Sequence, residues 1–193
     1  MSRWREPQVV GLAGAPGVGK TTIARILCEL DEDRYIHSPF ADKLVEYVAR
    51  ENPFYKEVKA TYAQLVAARG GHDAVVKEYA CARVGVEATK RRLFEVFGPE
   101  VFLNATLPHP DTLYGHDHWI ETPETVIVSD VEFSREERRV HDCGGRVYWI
   151  TRPGIKEPRH SPYDAEGDEV IANDGTLDDL KKKIKALCAK NKM

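Results

Sequence analysis

An α/β fold built on a doubly wound, five-stranded parallel sheet is what this 193-residue sequence predicts. Three observations carry that expectation. Short, almost continuously apolar and β-branched segments alternate with longer helical patterns, as strands covered on both faces by crossover helices require. The first of these segments runs straight into a glycine-rich turn that opens a helix. The final helical pattern carries a single apolar face.

In chain order, Gln8 to Ala13 (Q-V-V-G-L-A) is a strand and Lys20 to Leu30 a helix, followed by a short strand at Tyr35 to His37. Helical patterns then cover Ala41 to Arg50, Tyr62 to Arg69, Ala74 to Arg83 and Glu87 to Phe97. Thr125 to Ser129 (T-V-I-V-S) is the third strand, and Arg135 to His141 is a helix for which Ser134 is the best cap. Arg146 to Thr151 and Glu169 to Ala172 complete the sheet. The last helix aligns Leu177, Leu180, Ile184 and Leu187 on one face, with Thr176 as cap and lysines outside. The stretch between the second and third strands far exceeds the needs of one crossover helix. A single domain is therefore expected, with its core in residues 1–40 and 124–193 and a helical, acceptor-binding insertion at about 41–123. Gly70-Gly71 breaks that insertion, and Leu107 to Trp119 reads as a loop.

Composition narrows the function classes. Lys and Arg number 28 against 31 Asp and Glu, so a formal charge of -3 gives no global pull toward nucleic acid or anionic membrane. Cys28, Cys81, Cys143 and Cys188 form no C-x-x-C pair, which argues against zinc and against a disulfide framework. The first strand and the glycine-rich turn leave no room for a signal peptide, and no apolar run approaches the roughly 20 residues of a membrane span. A reducing, cytoplasmic setting is expected.

The glycine-rich turn is Gly14-Ala15-Pro16-Gly17-Val18-Gly19-Lys20-Thr21, which satisfies G-x-x-x-x-G-K-[ST] between a strand and a helix. Gly17 and Gly19 can take positive φ, so successive N–H groups turn inward around an anionic oxygen. The helix N-terminus adds its dipole at the same point. Lys20 then reaches the β- and γ-phosphates of a nucleoside triphosphate, the Thr21 hydroxyl ligates Mg2+, and Thr22 sits by the α-phosphate. A turn that merely closed a strand-helix corner would need neither the lysine nor the threonine.

Asp130 follows the apolar run Val126 to Val128 at the strand end that shares an edge with this loop. It is placed to hold a Mg2+-bound water or a substrate group. Glu132 stands two residues on and can point the same way, with a solvated glutamate as its other reading. Phosphoryl transfer between two anions needs several cations. Lys90-Arg91-Arg92, at the start of an apolar helix, and Arg152, directly after the fourth strand, are candidates, since a guanidinium grips phosphate with two parallel bonds. Pro153 and Gly154 make the Arg152 region a lid that would exclude water. His109, His116 and His118 with Asp111 and Asp117 fix no ligand set by spacing and read as a polar loop.

With these residues in hand, the chain resembles the bacteriophage deoxynucleoside monophosphate kinases, a family of P-loop kinases. The resemblance rests on Gly11 to Thr22; Phe40 to Leu44; Arg92 to Glu100; Val126 to Phe133 with Gly144-Gly145; and Arg159-His160-Ser161 with Ile171 to Gly175. It implies a sheet of P-loop kinase type with an insertion and a lid, ATP with Mg2+ as donor, and a deoxynucleoside 5'-monophosphate as acceptor. It implies Asp42 and Lys43 near the acceptor cleft, one of Arg91 and Arg92 on the acceptor phosphate, Asp130 at the catalytic edge, and Arg152, His160 and Ser161 in the lid. Its partners would be small nucleotides, with no nucleic acid and no membrane, and a homodimer is left open. A phage-encoded chain would work in the host cytoplasm. The sequence departs from the family where Asp130-Val131-Glu132-Phe133 replaces Asp-x-Arg-Phe, where Phe94-Glu95 stands in place of a glutamine, and at Pro162, so the acceptor base stays open. Two other readings remain, a P-loop kinase of another small metabolite and a nucleotide-dependent ATPase or switch; for the switch a guanine-specifying N-K-x-D is absent.

Overall fold

The computed structural model describes residues 8–107, 125–155 and 166–191. Its elements in chain order begin with β1 (Gln8–Ala13), α1 (Lys20–Leu30), β2 (Tyr35–His37), α2 (Phe40–Glu51), β3 (Phe54–Tyr55), β4 (Ala60–Thr61) and α3 (Tyr62–Arg69). They continue with α4 (His72–Glu78), α5 (Ala80–Phe97), α6 (Val101–Thr106), β5 (Thr125–Val131), α7 (Ser134–Asp142), β6 (Arg146–Thr151), β7 (Glu169–Ala172) and α8 (Leu177–Asn191). The chain forms two compact units, one from Met1–Pro39 with Leu107–Met193 and one from Phe40–Thr106.

The first unit holds a five-stranded sheet in the order β2-β5-β1-β6-β7, with every neighbouring pair parallel. This is the α/β sheet the sequence predicts. Successive strand residues face opposite sides. Ile127 and Val128, and likewise Val147 and Tyr148, are each 0% exposed, so both faces of the central strands are covered. On one face Val10, Leu12, Ile127, Tyr148 and Ile150 pack with Ile23 and Leu27 of α1 and Leu180 and Ile184 of α8. On the other, a Cβ at Gly11 would meet Val147, Val131 and Val140, so α7 approaches closely only because that strand position is glycine. α8 opens with a reciprocal cap, since Asp179 N–H donates to Thr176 Oγ1 at 3.2 Å and Thr176 N–H donates to Asp179 Oδ2 at 3.1 Å. Leu177 departs from the expected apolar face; it lies in the first turn and is 51% exposed.

The second unit has its own core, with Leu44, Val48, Tyr55, Tyr62, Leu65, Val75, Ala82, Val86 and Leu93 at its centre. A small antiparallel hairpin, β3 with β4, was not legible beforehand because two-residue strands carry no periodicity. Gly70 ends α3 at φ 81 and Gly71 precedes α4 at φ 153, so the double glycine breaks the helices as expected. The next boundary differs from expectation. The helix expected over Ala74 to Arg83 is split at Tyr79, which is extended at φ -106 and ψ 108, and α5 then runs unbroken through Gly85. Gly85 looks like a helix gap in sequence, but a Cβ there would lie 2.9 Å from Tyr55 Cε1, so packing rather than flexibility selects it.

Among the described residues no helix is long and apolar enough to cross a membrane.

Candidate functional site

Because all five strands run parallel, the C-terminal ends of β1, β5, β6 and β7 lie along one edge of the sheet. The glycine-rich loop leaves β1 there. Gly14, Gly17 and Gly19 take φ 123, 83 and 107, the left-handed region that bulky residues avoid. α1 starts after Gly19 with no side-chain cap, so its first N–H groups lack intrahelical partners. They remain directed at whatever the loop encloses, and the helix dipole favours an anion there. Ala15 and Val18 are buried and hold the loop to the core, while Thr21 is exposed at the mouth and Thr22 half-buried.

Lys20 folds back over this loop, its Nζ donating to Gly14 O at 2.6 Å and to Ala15 O at 3.1 Å. Burial lowers its pKa, opposed by the charges of Glu132 and then Asp130. The ammonium therefore lies in the field of two carboxylates. Asp130 falls within β5, which runs two residues further than expected. Between Val128 and Val131 the strand holds one residue more than β1 does between Gly11 and Ala13, a bulge that re-aims Ser129 and Asp130. The buried Ser129 hydroxyl meets His37 Nε2 at 2.7 Å, tying β5 to the end of β2.

Glu136 fixes the next step of the chain. Its Oε2 accepts from Glu132 N–H at 2.8 Å and from Phe133 N–H at 3.0 Å. Ser134, expected to cap this helix, is instead its first residue, and the Phe133 side chain at the cap position has no acceptor to offer. The spacing of Glu136 three residues after the cap is the available sequence signal, but no Ser or Thr stands at the cap to complete the box. Glu136→Ala is expected to cost about 1–2 kcal/mol in denaturant unfolding. Burial raises the Glu136 pKa, so the folded state keeps its proton to higher pH than the unfolded chain. Stability should accordingly fall as pH rises from the ordinary glutamate range through the raised value, and Glu136→Gln should remove that slope.

Arg152 lies at the same sheet edge, exposed, in a turn where Ile155 N–H donates to Arg152 O at 3.2 Å. Ile155 packs on the core, and its Cδ1 stands 3.5 Å from where a Gly17 Cβ would be. The expected lid residues His160 and Ser161 lie outside the described residues, as do Arg159, His109, Asp111, His116, Asp117 and His118. Downstream, Glu137 accepts from Glu166 N–H at 2.9 Å and Gly167 N–H at 2.8 Å, anchoring the approach to β7.

The four remaining candidates belong to the second unit. Asp42 and Lys43 are in the first turn of α2, where Lys43 pairs with Glu46 at 3.0 Å. Arg91 and Arg92 are exposed in the middle of α5 rather than at a helix start, and Arg92 is ion-paired with Glu51 of α2. The apolar run after them is also less buried than expected, since Val96 and Phe97 are 66% and 64% exposed.

The glycine loops discriminate sharply. A Cβ at Gly14 would lie 2.4 Å from Ile150 O, whereas at Gly17 the nearest atom is 3.5 Å away. Gly14→Ala should therefore destabilise by about 3 kcal/mol or more, and Gly17→Ala by only about 1–2, the strain of the left-handed backbone alone. Denaturant midpoints of the two variants check that order.

A strand, a G-x-x-x-x-G-K-T loop and a helix N-terminus, set in a parallel sheet of this order, define a nucleoside-triphosphate site. Together with the relatives it matches, the chain is a P-loop kinase, an ATP-dependent phosphotransferase of the P-loop small-molecule kinase superfamily. No protein-family model matches the chain. It is 26% identical over 194 residues to a protein of Acanthamoeba polyphaga mimivirus described as "Putative deoxynucleotide monophosphate kinase", covering 91% of this chain and 93% of that one. It is 24% identical over 195 residues to a shikimate kinase of Clostridium botulinum, covering 94% and 98%. Among solved structures it resembles the APS kinase of Mycobacterium tuberculosis in complex with AMPPNP and APS, with a TM-score of 0.45, 14% identity and coverage of 96% and 99%. A Janibacter sugar kinase gives a TM-score of 0.39, 14% identity and 93% coverage of each chain.

Proposed function

We propose that this chain transfers the γ-phosphoryl group of ATP to the 5'-phosphate of a deoxynucleoside monophosphate, giving the diphosphate. The observation that carries this reading is the match to the mimivirus protein along 91% of the chain, through the insertion and the sheet alike rather than over the phosphate loop alone.

The chemistry suits the residues. The N–H groups of Gly14, Ala15, Gly17, Val18 and Gly19 and the start of α1, with Lys20, Thr21 and Thr22, hold the triphosphate. Lys20 leaves Gly14 O and Ala15 O to face the β- and γ-oxygens. The acceptor phosphate has a second pKa near 6 and is largely ionised at neutral pH. Its oxygen attacks the γ-phosphorus, the bond to the β-bridging oxygen breaks, and ADP leaves; no base is needed. What the site supplies is charge neutralisation and alignment. Asp42, Lys43, Arg91 and Arg92 are the proposed acceptor contacts, and Arg152, with His160 and Ser161, covers the transferring group. The hydroxyl and carboxylate oxygens of Thr21 and Asp130 are the hard donors Mg2+ prefers, with Asp130 acting through water. Bound there, the ion would screen the phosphate oxygens. The charges of Glu132 and Asp130 both act on Lys20, so Glu132 can also serve beside the donor phosphates.

The shikimate kinase match favours a second reading, a metabolite whose hydroxyl is the acceptor. A hydroxyl must lose its proton, and Asp130 would then be the base. ADP release measured with each common deoxynucleoside monophosphate, a modified pyrimidine one and shikimate separates the two. Stimulation by a monophosphate supports the proposal; stimulation by shikimate alone transfers the chain to the second reading.

A further inference from the structure

The phosphate loop is gripped from outside by a residue far along the chain. Asn173, just after β7, donates its Nδ2–H to Val18 O at 2.8 Å. The same nitrogen lies 2.6 Å from where a Gly19 Cβ would be, so the amide presses on the Val18–Gly19 peptide itself.

The turn that carries Asn173 is held from three sides. Asn173 N–H donates to Thr151 O at 2.8 Å, fastening it to the end of β6. Lys183 of α8 donates to Ala172 O at 2.9 Å and also pairs with Asp174. The reciprocal Thr176–Asp179 cap fixes the exit into α8. An amide mounted this way is a fixed donor rather than a wandering surface group.

From this we infer that Asn173 is a positioning residue for the donor phosphates, acting through the Val18–Gly19 peptide. In a planar trans peptide the C=O of one residue and the N–H of the next point in opposite directions. Holding Val18 O against Asn173 therefore directs Gly19 N–H away from Asn173, toward the side the loop encloses. Were that peptide to flip, a carbonyl oxygen would replace an N–H donor beside the phosphates, and glycine at Gly19 offers little resistance to flipping. Lys20 restrains the start of the loop at Gly14 and Ala15, and Asn173 restrains its end.

This inference rests on the reading of the loop as a triphosphate site, and the test separates the two. Binding of ATP and of inorganic tripolyphosphate, each with Mg2+, is measured for wild type, Asn173→Leu, which keeps the shape without the donor, and Asn173→Ala. Both variants should bind tripolyphosphate and ATP about tenfold more weakly, the loss expected for one hydrogen bond, while the KM for the acceptor stays unchanged. A loss for ATP but not for tripolyphosphate would mean that Asn173 touches the nucleoside rather than the loop, and would overturn the inference. Wild-type binding of both ligands in folded variants would also overturn it. Should wild type itself fail to bind tripolyphosphate, the triphosphate reading of the loop falls first and the inference with it.

Discussion

Lys20→Ala is expected to reduce turnover by at least about a hundredfold to a thousandfold and to leave the protein folded. Its ammonium is the one loop cation whose surroundings are directly visible. Its Nζ donates to the carbonyls of Gly14 and Ala15 and sits in the field of Glu132 and Asp130. In the transition state, charge spreads over the equatorial oxygens of the transferring group, and no other residue of the loop can neutralise it. The fold does not depend on this lysine, because α1 is held by Ile23, Ala24, Ile26 and Leu27, all buried in the core. The check is kcat beside a denaturation curve. A rate near that of wild type would refute the assignment of the loop.

Asp130→Asn is expected to lower kcat by about a hundredfold while changing ATP affinity by less than about threefold, because the shape is kept and only the charge is lost. A purely affinity-side effect would make Asp130 a binding residue. The substitution also reports on the acceptor. A phosphate acceptor needs no base, so the residual rate should follow the same pH profile as wild type. A hydroxyl acceptor would lose the ionisation of its base from that profile.

The phosphate loop and the sheet were legible because their signals are local. Each strand is a short apolar run, and the loop needs its glycines, lysine and threonine within a few residues. Asp130 was legible as a strand end, but the bulge that aims it was not, since one extra residue in β5 appears only against its partner β1. Glu132 could be read either as a site residue or as a solvated glutamate, and its effect on Lys20 is a fact of three dimensions. The same holds for Asn173, which reads as a turn residue and reaches the loop across 155 positions of chain. In the second unit the break at Tyr79 was missed because Gly85 carries the stronger local signal for a break. Only the Tyr55 ring explains why a glycine stands inside α5.

The central claim is transfer to a nucleotide phosphate, and the most direct measurement follows the phosphorus itself. ATP labelled at the γ-position is incubated with the protein, Mg2+ and each deoxynucleoside monophosphate in turn, and the products are separated. The account predicts label in a deoxynucleoside diphosphate for at least one base, with little released as inorganic phosphate. Label appearing only as inorganic phosphate, at a rate no monophosphate changes, would contradict it.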